Sequence, residues 1–261
     1  MISVSDLRKL VFKAVATGQN LQYNGIREKV RELAVQFGLG GFDNNDELNL
    51  NQIIWDLVIE RVLTFGTENR SEPKWPFIRV TDHGKAVMSS EAHGYYDPDE
   101  YVNNLEQLVP GLDAVISQYA LESLRCFRQN LMFASAVMIG AAGERAMLLL
   151  LEAIGSWVNS EKEKQIINAL LDRPRLPQIF DMIRKTIKTA IDQNLMPYSV
   201  HEGVTEHFLS LYEMIRVQRN DAVHPTVGEV SRNKVFLSIQ TFPVALEVLF
   251  RVNNWFLDNC Q

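Results

Sequence analysis

Apolar residues recur at helical spacing in three segments at the start of the chain. The first begins near Ser5, a candidate N-cap, and puts Leu7, Leu10, Val11 and Ala14 on one side. The second carries Ile26, Val30, Leu33, Ala34 and Phe37 until Gly38, Gly40 and Gly41 break it. The third follows the acidic start Asp46-Glu47, carries Leu50, Ile54, Leu57, Val58 and Val62, and meets a natural stop at Gly66. Then the period changes. A polar loop tip over 68–74 precedes Phe77-Ile78-Arg79-Val80, which reads as a short strand. Thr81-Asp82-His83-Gly84-Lys85 reads as a capped helical turn.

Residues 89–100 are polar, turn-forming and without a period, which marks a linker. Beyond them every pattern is helical, with helices expected near 101–125, 129–158, 161–172, 176–194, 202–224 and 231–257. Pro110 and Gly111 should interrupt the first, Pro174 and Pro177 should separate two others, and Pro243 should kink the last. The expected class is mainly α: a small β-hairpin in residues 1–88, a linker at 89–100 and an all-α bundle over 101–261.

Composition narrows this only a little. Hydrophobic residues make up 46% of the chain and charged residues 22%, which excludes a disordered or collagen-like chain. The net charge of -6 argues against broad electrostatic coating of nucleic acid, so any nucleic-acid chemistry must be local. The two cysteines, Cys126 and Cys260, lack metal-ligand neighbours and form no disulfide framework, which fits a reduced, cytoplasmic address. The start Met1-Ile2-Ser3-Val4-Ser5-Asp6 does not read as a signal peptide. The stretch 131–154 is apolar enough to suggest a membrane span. Glu144 and Arg145 in its middle would each cost roughly 2.5–3.5 kcal/mol in lipid, so it reads as a core helix.

Within that core helix, Gly140-Ala141-Ala142-Gly143 sacrifices helix propensity, about 1 kcal/mol per Gly relative to Ala. Small residues there allow a neighbouring helix backbone to come close. The expected neighbour is 202–224, whose apolar stripe runs Val204, Phe208, Leu211 and Ile215. The next position in that series is Arg219, where an apolar side chain is due, and Asn220-Asp221-Ala222-Val223-His224-Pro225 follows. A helix advances about 100° per residue, so Tyr212, Arg216, Asn220 and His224 share one face. Pro225 should set His224 at the helix end. A guanidinium, an amide and a titratable base thus gather within little more than one turn. Guanidinium grips phosphate oxygens through paired hydrogen bonds, Asn can orient the ester, and His moves a proton near neutral pH. The sequence contains no cluster at metal-ligand spacing, which favours a reaction without metal or cofactor. For RNA, that means attack of the 2′-hydroxyl on its own phosphate.

Arg219 and Asn220, followed by three residues and His224 near a helix end, resemble the signature of the HEPN superfamily. In that signature an Arg precedes a His by four to six intervening residues, with a polar residue favoured after the Arg. The helices carrying Glu122-Ser123-Leu124-Arg125-Cys126-Phe127 and Glu144-Arg145 fit its bundle plan, and the match covers 101–261. The resemblance implies a metal-independent endoribonuclease, commonly a toxin or anti-phage effector, active as a homodimer whose two motifs form a composite site. It also implies an RNA substrate and admits an antitoxin or defence-system protein as partner. Arg219 would hold the phosphate, Asn220 would orient it and His224 would move the proton, with Glu144 and Arg216 in support. A symmetric pair would supply both a base and an acid.

Residues 1–88 resemble a winged helix-turn-helix, with Trp75-Pro76-Phe77-Ile78-Arg79-Val80 as the second wing strand. The third helix of that fold usually reads DNA. Here it holds Asp46, Glu47, Asp56 and Glu60 against Arg61 alone, which favours protein contact, dimerisation or substrate positioning over duplex binding.

Structural readings stand beside these. His224 could serve only the helix dipole, worth roughly 0.3–1 kcal/mol, and Arg219 could be a buried ion pair with Glu144. Arg216 could be simply solvated. His83, His93, His201, His207, Tyr95 and Tyr96 read as turn, linker, helix-start or surface residues. The rival function is a non-catalytic winged-helix regulator whose bundle mediates dimerisation and partner binding.

Overall fold

The computed structural model describes residues 2–16, 21–66, 75–89, 98–223 and 230–260, and at 89, 99 and 217–223 it describes the backbone alone. The protein is mainly helical with one small antiparallel sheet. It divides into two compact units, residues 1–100 and 101–261.

In the first unit, α1 (Val4–Ala16) is capped by Ser3, one turn-start earlier than Ser5: the Asp6 N–H donates to Ser3 Oγ at 3.0 Å. It packs against α2 (Tyr23–Gln36) and α3 (Asn44–Ile59) through a core that includes Leu7, Val11, Ile26, Val30, Leu50 and Leu57. A capping box opens α3. The Asp46 N–H donates to the Asp43 carboxylate at 2.8 Å, and the Asp43 N–H donates back to Asp46 at 3.0 Å. Asp46 is fully buried and also accepts the Ile2 N–H at 2.8 Å. The Asp43 N–H, with Ile2 adding, holds its carboxyl below the usual range against the opposing pull of burial.

The third helix stops well before Gly66. Arg61 adopts φ 60°, its N–H donates to the Val58 carbonyl, and the Val62 N–H donates to the Leu57 carbonyl, which together close a Schellman motif. Val62 and Leu63 are buried as strand entry rather than as helix, so the apolar spacing ran on through a change of structure. Leu63–Phe65 forms β2 and pairs antiparallel with β3 (Phe77–Val80) in the register Leu63↔Val80 and Phe65↔Ile78. A further strand, β1 (Leu21–Gln22), pairs with the other edge of β3, giving the order β1-β3-β2. Two residues are too few to show a period. Thr81 caps α4 (Asp82–Ser89) by accepting the Gly84 N–H at 2.9 Å, so the expected turn continues as a helix. Gly84 is obligatory there, because a Cβ would lie 2.1 Å from the Val62 carbonyl oxygen.

The expected linker lies largely outside the described residues, and its last part is helical: α5 spans Pro98–Leu108, with Pro at the first helical position, where its missing N–H costs nothing. Gly111, at φ 77°, and Pro110 separate α5 from α6 (Ala114–Arg128), which Asp113 caps through the Val115 and Ile116 N–H groups. Then come α7 (Met132–Trp157), α8 (Glu161–Asp172), α9 (Leu176–Asp192), the short α10 (Tyr198–His201), α11 (Val204–Val223) and α12 (Arg232–Asp258).

Central to the second unit is α7, which packs against α6, α8, α9, α11 and α12. One broad face of α7, which includes Ile139, Met147, Leu150 and Ile154, is buried against those neighbours. By length and composition α7 and α12 could each cross a membrane, yet 56% of each apolar window is buried inside the fold. Arg145 on α7 donates to Asp113 at 3.1 Å and to Glu152 at 3.3 Å, tying the helix to the cap of α6. Burial pushes the Asp113 carboxyl up, but Arg145 and the two cap N–H groups outweigh it and hold the carboxyl low. Ser123 and Ser135 exchange hydroxyl-to-carbonyl bonds at 2.8 Å each and so satisfy two buried polar groups between α6 and α7.

Pro243 lies inside α12 and cannot donate to the carbonyl four residues back, that of Ile239. The buried Tyr101 hydroxyl fills that vacancy and donates to Ile239 O at 2.7 Å. Tyr101→Phe should therefore cost about 1–3 kcal/mol, since it strips a buried carbonyl of its donor with almost no change in shape. Urea denaturation of the full chain, followed by helical circular dichroism, measures that loss; an unchanged midpoint would show the bond contributes nothing.

Candidate functional site

The site predicted from sequence belongs to α11 and the middle of α7. Val204, Phe208, Leu211 and Ile215 are all buried, as the spacing required. The small-residue segment of α7 receives that stripe at one of its two glycines. A Cβ on Gly143 would come within 3.0 Å of Ile215 Cδ1 and 3.1 Å of Leu211 Cδ1, whereas one on Gly140 would meet nothing within 4 Å. Of the two glycines, Gly143 is the one that α11 approaches closely. Any side chain larger than a methyl there would drive the two helices apart.

The flank of α11 next to this stripe is aromatic. Phe180 of α9 stacks on Phe208, with centroids 4.8 Å apart, and on Tyr212 at 4.1 Å. Sequence reasoning overlooked Phe180. It sits one residue past Ile179, the start of the buried stripe Ile179, Ile183, Ile187 and Ala190, and its aromatic ring beside that stripe was the available signal.

Arg216, one of the supporting residues, is exposed, and its Nε and Nη2 donate to the same oxygen of Glu213 at 3.2 and 2.8 Å. The Glu213 carboxylate strengthens its hold on the proton. A phosphate reaching Arg216 would compete with that carboxylate.

Arg219 and Asn220 fall within the last turn of α11, by the helix backbone that runs to Val223; their side chains lie outside the described residues. His224 lies wholly outside them. Arg219 follows Ile215 by four positions on the helical stripe, and Glu144 follows Gly143 directly on α7, half-buried. Gly143, which meets Ile215, thus precedes Glu144 by one position on α7, and Ile215 precedes Arg219 by four on α11. The expected ion pair between these two residues falls outside what is described. Burial, with Glu122 adding to it, pushes the Cys126 thiol up, and both cysteines are unbridged. Among the described residues, no three His, Cys, Asp or Glu side chains stand together as a metal site would need. No family model, curated protein or solved structure matches the chain.

Proposed function

We propose that the protein is a metal-independent endoribonuclease of the HEPN type, working as a cytoplasmic homodimer and serving as a toxin or anti-phage effector. The observation that carries this reading is the packing of α11 on α7 through Gly143. It anchors the buried stripe of α11 one turn before Arg219, so the backbone at Arg219 and Asn220 belongs to the end of a helix held in a bundle. In this reading Arg219 binds the scissile phosphate and Asn220 orients it. His224 of one protomer takes the proton from the 2′-hydroxyl as its oxygen bonds to phosphorus. The partner's His224 gives a proton to the departing 5′-oxygen as the phosphorus–oxygen bond breaks, leaving a cyclic phosphate and a 5′-hydroxyl.

The first unit is read as a winged helix, supported by its element order α1-β1-α2-α3-β2-β3 and by β1 closing the edge of the hairpin. A protein contact suits it better than duplex DNA. The outer face of α3 is apolar rather than basic, with Leu48 66% exposed, Trp55 52% and Ile59 62%, and Glu47 is held by Arg27 and Arg31. An antitoxin or defence-system protein would suit such a face. The same face favours the rival reading of a regulator that only binds partners.

Incubation with total RNA in excess chelator decides between them. Fragments ending in a cyclic phosphate and a 5′-hydroxyl, produced by a dimeric species, are the expected result. Intact RNA beside a stable dimer would replace the ribonuclease with the regulator.

A further inference from the structure

Away from the motif, α9 and the first half of α11 enclose a pocket of about 320 Å³. Its floor is apolar and aromatic: Phe180, Ile187, Val204 and Phe208, of which Ile187, Val204 and Phe208 are buried. Its polar lining includes two cations from successive turns of α9, Arg184 and Lys188, and among the described residues no carboxylate lines it. Arg184 lies over the Phe180 ring at 6.0 Å and meets Asp181 at 3.5 Å, an exposed pair that holds it loosely. Lys188 forms no ion pair among the described residues.

We propose that this pocket binds a small amphipathic carboxylate, its hydrocarbon end on the aromatic floor and its charge between Arg184 and Lys188. The stacked rings of Phe180, Phe208 and Tyr212 make the floor rigid, so little ordering is needed when a ligand enters. The dimensions set the ligand's size. At roughly 30 Å³ for each small group, the volume accommodates about ten non-hydrogen atoms, the length of a medium-chain fatty acid or of an aryl-substituted short-chain acid. The sign of the charge is set by the lining, because an amine of equal length would bring a third cation against Arg184 and Lys188, with the exposed Asp181 outside the lining as the nearby counter-charge. A bare phosphate or chloride would leave the apolar floor unfilled. This inference is independent of the ribonuclease reading and stands or falls without it.

The test uses the full chain and octanoate as probe, with octylammonium and inorganic phosphate for comparison, by isothermal titration calorimetry. Octanoate should bind once per chain with a dissociation constant of about 0.1 mM, which ten atoms permit at ordinary efficiency. Octylammonium and phosphate should bind at least about tenfold more weakly. Arg184→Glu combined with Lys188→Glu, both at exposed positions, should reverse the preference between octanoate and octylammonium. Leu209→Trp, at a half-exposed lining position, should abolish binding by filling the space, with helical content unchanged. Absence of saturable octanoate binding, equal affinity for octylammonium, or undiminished binding by Leu209→Trp would each overturn the site.

Discussion

His224→Ala should slow RNA cleavage by about 100- to 10,000-fold, the range that removal of a general acid or base produces, while helical content and dimerisation stay as in the wild type. The expected size follows from the role. In the proposed metal-free reaction no metal would lower the pKa of the attacking hydroxyl or neutralise the leaving oxygen, so proton transfer would fall to side chains, and the motif would offer one imidazole per protomer. If two copies act as base and acid, the rate must peak between two pKa values, giving a bell-shaped pH profile that the variant lacks. A histidine that merely capped α11 would behave differently. It would alter stability by roughly 0.3–1 kcal/mol through the helix dipole and leave the cleavage rate and its pH profile alone. Arg219→Lys adds a second readout, since an ammonium keeps the charge but loses the paired geometry that guanidinium offers a phosphate. The rate should fall there with the pH profile unchanged in shape. Full activity of His224→Ala in gel-based single-turnover assays would exclude the imidazole from the chemistry.

The helical architecture was legible because the apolar stripes are long. Val204, Phe208, Leu211 and Ile215 could be read as one buried face, and the run Gly140-Ala141-Ala142-Gly143 announced a close helix contact, but only the structure assigned it to Gly143 rather than Gly140. Shorter signals misled. The apolar run through Val62 looked like more helix, although Arg61 had already turned the chain with φ 60°, a conformation that side-chain chemistry does not advertise as Gly or Asn would. Leu21–Gln22 was invisible because a two-residue strand owes its existence to the β3 edge, not to its own pattern. Tyr101 and Ile239 lie far apart in sequence, and no local rule could pair the missing donor of Pro243 with that hydroxyl. For the proposed site, residue types and spacing are the whole of the argument, because the side chains of Arg219 and Asn220 and all of His224 lie outside the described residues. The pocket beside Phe180 depended on α9 meeting α11, which only the tertiary arrangement supplies.

The same distinction between local pattern and tertiary pairing underlies the largest stability effect expected in the first unit. Arg8 and Glu60 look like surface charges in their own helices, yet their side chains are only 7% and 9% exposed and they join α1 to the end of α3 as a hydrogen-bonded ion pair. Glu60→Ala should destabilise the unit by about 3–5 kcal/mol, the usual cost of removing one member of a buried ion pair. The ring of Phe12, 5.5 Å from the Arg8 guanidinium carbon, would offset only part of that loss. Removing both charges tells burial of charge apart from simple loss of packing. Arg8→Met with Glu60→Leu should recover most of the stability, since two apolar side chains of similar volume need no polar partner in a buried interface. Amide hydrogen exchange resolves the outcome by unit: protection in α1 and α3 should fall in the single variant and return in the double, while protection in α7 holds throughout. Equal loss in single and double variants would mean that shape, rather than charge pairing, holds α1 against α3.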